Sequence, residues 1–343
     1  TLDSDSKHHT KVGGSHGTQV ASCVVANGTI FNLGVAPNCK ISSLDFWESF
    51  QPYTTNSDKL NYRKDDIAIY NNSWGPYQGN TNFEYTSVKN IIKNNTTGNT
   101  PGRVGLGNIY VWAAGNEADN KDYATWDSVL NIRENITVGS CNLNYRKSNY
   151  SDSGSNVLCV APAADYYSNV NNSYLEVPFL STATSTDKIT YNSSYTTNNL
   201  DKLPFIILSN GTEIYKPKVT QGTSFSAPLV SGAIALLLSV HPVLYWREVK
   251  ELISISCDKI DVDSVADLSD NEQNLWKQND DGRWYNINYG YGLINVKKLL
   301  DNGKLWKDNG IQLPRPEIIF ELSLGVNTVI GSEISPSEFT FDC

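Results

Sequence analysis

Methionine is absent from this 343-residue chain, and histidine is scarce, with four copies. A chain without methionine does not carry its own translation start, and its polar opening, residues 1–10, holds no apolar signal segment. A processed or truncated product lacking its N-terminal end is therefore expected. Long hydrophobic runs are missing too. No stretch of about 18 apolar residues occurs, so no transmembrane segment is expected. Positive charge is in deficit, at a net −9, which argues against a nucleic-acid partner and favours a cationic one. What remains, 39% hydrophobic and 18% charged residues, is the composition of a soluble globular chain long enough to bury a sizeable core.

The cysteines are Cys23, Cys39, Cys141, Cys159, Cys257 and Cys343, and sequence alone leaves their pairing open. Asn-X-Ser/Thr triplets begin at Asn27, Asn71, Asn94, Asn95, Asn135, Asn149, Asn171, Asn192 and Asn210. An Asn-rich chain makes some of these by chance, but together with the cysteines they point to an oxidising, secretory environment.

Short apolar runs at 40–46, 67–71, 108–113, 135–139 and 156–161 read as strands. Amphipathic segments at 17–26, 84–93, 226–239 and 244–256 read as helices. Their alternation predicts an α/β fold, a parallel sheet with helices on both faces, whose sites lie at the carboxyl ends of strands. Residues 165–220 are polar and rich in Asn, Ser, Thr and Tyr, and read as an insertion of loops and weak strands. Helical alternation is expected to stop beyond Asn302. The tail, with Pro314, Pro316 and a β-like run at 317–322, reads as a linker and the start of a β-rich unit, giving domains at 1–303 and 304–343.

Three residues invite chemistry. His8 and His9 lie in the polar opening and His241 in a His-Pro turn, whereas His16 heads an amphipathic segment. Ser224, in Gly222-Thr223-Ser224-Phe225-Ser226-Ala227-Pro228, is expected at a helix N-terminus, where free amides and the dipole favour developing negative charge. Serine at 226 rules out the Gly-X-Ser-X-Gly elbow. Asn116 follows the apolar strand that ends in Ala114-Gly115, so its carboxamide can complete an oxyanion hole with the Ser224 amide. Each has a structural alternative: a helix-start histidine, an N-capping serine, a turn asparagine.

Taken in order, His16-Gly17-Thr18, Asn72-Ser73-Trp74-Gly75-Pro76, Ala114-Gly115-Asn116 and Gly222-Thr223-Ser224 resemble the successive signatures of the subtilisin superfamily. The Ser-Trp-Gly-Pro run, residues 107–112 and Tyr289-Gly290-Tyr291-Gly292 resemble its kexin/furin proprotein convertases, and the likeness covers roughly residues 12–303. The resemblance implies a serine endopeptidase acting on protein or peptide substrates in the secretory pathway, as a Golgi-type membrane enzyme or a secreted one. Ser224 is then the nucleophile, His16 the general base and acid, and Asn116 the oxyanion donor. Ser73, Trp74 and Gly75 would bind the substrate backbone as an added strand. The β-rich tail would open a P-like domain.

It also implies that Asp127 faces a basic P1 side chain and that Asp122, Asp127 and Asp152 hold Ca²⁺. Gln78 and Gly13 stand where the family has acids, which puts strict dibasic specificity in doubt. The triad acid is expected outside the chain, because Asp3 and Asp5 lack the following glycine and any preceding apolar strand. A subtilase of broad specificity and a non-catalytic binding protein remain alternatives.

Overall fold

Residues 109–114, Ile-Tyr-Val-Trp-Ala-Ala, alternate between two separate cores. Ile109, Val111 and Ala113 enter one, and Tyr110, Trp112 and Ala114 the other. A strand that buries both sides lies inside a sheet covered on both faces. The computed structural model describes residues 16–27, 33–44, 57–75, 85–142, 144–165, 180–181, 218–219, 221–262 and 276–311. The chain divides into two compact units, Thr1–Leu313 and Pro314–Cys343. Every described residue belongs to the first, so the expected β-rich unit lies outside the described residues.

In chain order the elements are α1 (His16–Val25), β1 (Ile69–Asn72), α2 (Thr86–Thr96), the short turn α3 (Gly102–Gly105), β2 (Ile109–Ala113), β3 (Asn135–Cys141), β4 (Val157–Pro162), β5 (Leu180–Ser181), β6 (Lys218–Val219), α4 (Thr223–Val240), α5 (Trp246–Ser256), β7 (Cys257–Asp258), β8 (Lys277–Gln278), β9 (Trp284–Tyr285), β10 (Leu293–Ile294) and α6 (Val296–Asp308). The main sheet has the order β1-β2-β3-β4-β10-β7. Its first five strands run parallel and β7 closes it antiparallel to β10. Val20 and Cys23 of α1, most of α4, and Val249, Leu252 and Ile253 of α5 cover one face. Val88 and Ile92 of α2, with Leu60, cover the other. Helix α4 is long and apolar enough to cross a membrane, but 72% of it is buried inside the fold. It is apolar on all sides because it is a core helix.

Two expectations change. Residues 40–44, the described part of the first expected strand, form no strand, and Leu44 packs, partly buried, against the second core. Helical structure continues past Asn302 to Asp308, so the boundary expected at 303/304 falls inside α6. Gly303 does not break that helix. A Cβ there would lie 2.6 Å from Leu237 Cδ1, so glycine lets α6 approach α4 closely. Of the polar stretch 165–220, β5 and β6 form an antiparallel pair.

Candidate active site

Ser224 lies in the first turn of α4, after Gly222 at φ 122°. That backbone conformation favours glycine. Of the first-turn amides, that of Phe225 donates to the Gly222 carbonyl at 3.0 Å and that of Thr223 to Asn116 Oδ1, and the helix dipole adds its positive end. Pro228, one turn on, lacks the N–H that would bond the Ser224 carbonyl. The Ser73 hydroxyl donates to that carbonyl instead, at 2.8 Å. Ser224 Oγ donates to the Ser73 carbonyl across a longer 3.4 Å. Behind Ser73, the Asn71 amide donates to its hydroxyl at 3.0 Å, and Ser231 of α4 donates to Asn71 Oδ1 at 3.0 Å. The end of β1 is thereby docked onto the helix that carries Ser224.

Asn116 follows β2. Its Oδ1 accepts from the Thr223 backbone N–H at 2.8 Å and lies 3.0 Å from the Thr223 hydroxyl. This fixes the carboxamide and leaves its Nδ2 protons uncommitted among the described residues. His16 opens α1, and its ring sits edge-on to Phe225, centroids 5.5 Å apart, which puts the imidazole beside the residue after Ser224. Residues 73–75 run along the same cleft. Trp74 meets Trp112 edge-on at 4.8 Å, and the Trp112 indole N–H donates to the Trp74 carbonyl at 2.6 Å.

A cleft open to solvent joins Ser224, Asn116, Trp74 and Gly75 to the three predicted acids. Asp127 Oδ1 accepts from the Val129 and Leu130 amides, at 2.7 and 3.4 Å. Its Oδ2 lies 3.7 Å from where a Gly75 side chain would begin. Burial raises the Asp127 pKa despite those amides. Asp122 and Asp152 come together with Glu117, their carboxylate oxygens within 4.8 Å of one another. Glu117 Oε2 accepts from the Asn116 amide at 2.8 Å, and Asp152 Oδ1 from the Glu117 amide at 2.9 Å. Burial first, and then Glu117 and Asp122, push Asp152 up to about 7. Lys147, whose own pKa burial lowers, donates to the Ser151 carbonyl at 2.7 Å nearby.

The structure therefore brings His16, Ser73, Trp74, Gly75, Asn116 and Ser224 into one region. Of the three acids expected around a cation, Asp122 and Asp152 lie together with Glu117, while Asp127 is outside that group and its Oδ1 accepts from the Val129 amide. Thr223 and Asn71 are further site residues that sequence reasoning passed over. Pro76, Gln78, Gly13, Asp3 and Asp5 lie outside the described residues. Three glycosylation triplets are spent on structure: Asn71 as above, Asn95 buried on Tyr110, and Asn135 buried on the Val129 carbonyl.

This arrangement, a serine at a helix start beside a fixed carboxamide and an imidazole, is that of a serine hydrolase built on a parallel α/β sheet. The profile of the subtilase family, Peptidase S8, matches residues 2–292, and the chain belongs to that family. It is 28% identical over 331 residues to the dibasic-processing endoprotease of Schizosaccharomyces pombe, covering 95% of this chain and 40% of that protein. Kexin of Saccharomyces cerevisiae is 28% identical, over 87% of this chain and 31% of its own length. The human proprotein convertase subtilisin/kexin type 4 is also 28% identical, over 85% and 33%. The chain thus spans well under half the length of these relatives. Among solved structures, a serine protease of Aeromonas sobria has the same fold, with a TM-score of 0.62 at 21% identity over 87% of this chain and 54% of that one.

Proposed function

We propose that this chain forms the catalytic unit of a secretory-pathway endopeptidase that processes proteins after basic residues through an acyl-enzyme on Ser224. The observation that carries this reading is the meeting of the α4 N-terminus with the fixed Asn116 carboxamide. Ser224 Oγ attacks the scissile carbonyl as His16 takes its proton. The oxyanion is received by the Ser224 amide and Asn116 Nδ2. His16 returns the proton to the departing amine, and water then frees the acyl group by the reverse sequence. With the Trp74 carbonyl turned inward to Trp112, an extended substrate would pair with the backbone of Gly75 and with the Ser73 carbonyl, which it would take over from Ser224 Oγ. The name of the Schizosaccharomyces pombe relative supports processing at basic sites, and that of the human relative supports conversion of proproteins.

Asp127 would face the P1 side chain. Glu117, Asp122 and Asp152 offer a hard-oxygen donor set suited to Ca²⁺, and the raised Asp152 pKa marks a charge cost that a cation would offset. A bound cation would brace the Asn116 loop and take no part in bond cleavage. A second reading, broad or apolar P1 choice, draws on the burial of Asp127, which raises its pKa. The test is fluorophosphonate labelling of the complete protein, with and without Ser224→Ala. Labelling that survives the substitution overturns the assignment, and an unlabelled native protein favours a non-catalytic binder.

A further inference from the structure

Two glycosylation triplets overlap at the end of α2. Asn94-Asn95-Thr96 and Asn95-Thr96-Thr97 share Asn95 and Thr96, and the residue pattern gives no ground for choosing between them. The helix does choose. Successive residues of an α-helix point about 100° apart, so neighbours in sequence lie on different faces. Val88, Ile92, Asn95 and Thr96 make up the buried face of α2, and Thr86, Ser87, Asn90, Lys93 and Asn94 the exposed one. Asn95 is 4% exposed. Its Nδ2 donates to the Leu60 carbonyl at 3.2 Å and to the Tyr110 hydroxyl at 2.9 Å, and that hydroxyl donates to the same carbonyl at 2.7 Å. The Asn94 side chain stands in solvent and makes no hydrogen bond among the described residues.

We propose that Asn94 carries an N-linked glycan and that Asn95 does not, an inference that rests on the secretory reading above. The co-reactant is an oligosaccharide joined to a lipid pyrophosphate. Asn94 Nδ2 bonds to the anomeric carbon of the sugar and gives up one proton. The bond from that carbon to the pyrophosphate oxygen breaks, and its electron pair leaves with the lipid pyrophosphate. The transfer comes before folding, because the Thr96 hydroxyl that completes the triplet is buried in the folded chain and donates to the Ile92 carbonyl at 2.7 Å. Folding then sorts the products. A glycan on Asn94 stays in solvent as α2 packs on the sheet. A glycan on Asn95 would have to enter the core between α2 and β2, and would strand the buried oxygens of Leu60 and Tyr110. No residue of α2 lines the cleft, so a sugar on Asn94 leaves substrate access open.

The experiment isolates the complete protein from its own cells and removes its glycans with an amidase in heavy-oxygen water, which turns each glycosylated Asn into a labelled Asp. Peptide mapping is expected to find the label at Asn94 and none at Asn95. A label at Asn95 in the folded protein, or labels on other triplets with Asn94 bare, overturns the proposal and leaves the secretory reading in place. A label on no triplet overturns both. Fluorophosphonate labelling of Ser224 in the same sample reports on catalysis alone. Two substitutions give a second readout by gel mobility. Asn94→Gln is expected to lose one glycan step, and Thr97→Ala, which destroys only the second triplet, to lose none, with kcat unchanged in both. A step lost with Thr97→Ala and kept with Asn94→Gln also overturns the proposal.

Discussion

The Ser73 hydroxyl donates to the Ser224 carbonyl at 2.8 Å, and that carbonyl is open because Pro228 stands four residues further along α4. A proline that costs the helix one hydrogen bond thus supplies the anchor for the strand end that frames the cleft. Ser73→Ala is expected to strand the carbonyl, at about 1–3 kcal/mol, and to lower turnover as the cleft loosens. In the double substitution with Pro228→Ala, the new amide can bond Ser224 within the helix, so the combined cost should be less than the sum. Thermal melting of the four proteins checks this, and strict additivity would show that the two residues are not linked.

Asn116 is held by its Oδ1, which leaves Nδ2 for the developing oxyanion. A donor that acts mainly in the transition state changes turnover more than substrate affinity. Asn116→Ala is expected to reduce kcat by about 10²–10³-fold with KM little changed. Steady-state kinetics of the complete protein decides it. A rise in KM at constant kcat would assign Asn116 to ground-state binding.

Asp127 presents Oδ2 toward the side of the cleft occupied by Gly75. Asp127→Ala is expected to reduce cleavage after Arg far more than cleavage after Leu, compared as kcat/KM on paired peptides. An equal loss for both would favour the reading of broad P1 choice.

Much of this was legible before any coordinates. The apolar run 108–113 announced a strand, and Gly222 and Asn116 were marked by flanking motifs. What escaped notice has physical reasons. Gly303 reads as a helix breaker, although it lets α6 pack on α4. Asn71 reads as a glycosylation triplet, although its carboxamide bridges Ser73 and Ser231. Glu117 reads as one more acid in a polar loop. Its place beside Asp122 and Asp152 depends on Gly115, whose φ of 115° folds the chain back until a Cβ there would lie 2.0 Å from Asp152 Oδ2. No spacing rule reveals a turn of that kind.

The acidic cluster gives a pH-dependent prediction with a defined sign. Asp152 is raised from 3.8 to about 7 in the folded chain, by burial first and then by Glu117 and Asp122. The folded form therefore holds a proton that the unfolded chain releases, and stability without a cation is expected to fall as pH rises from about 4 to about 7, then level off. A divalent cation held there would bind the deprotonated cluster and compete with that proton, so its stabilising effect should grow over the same window. Calcium is thus expected to raise Tm more at pH 8 than at pH 5. Asp152→Asn should flatten the pH slope of the cation-free protein and blunt its response to calcium. Tm measured at both pH values, with calcium and with chelator, provides the check. An equal calcium increment at pH 5 and pH 8 would mean that the stabilising ion binds away from Glu117, Asp122 and Asp152.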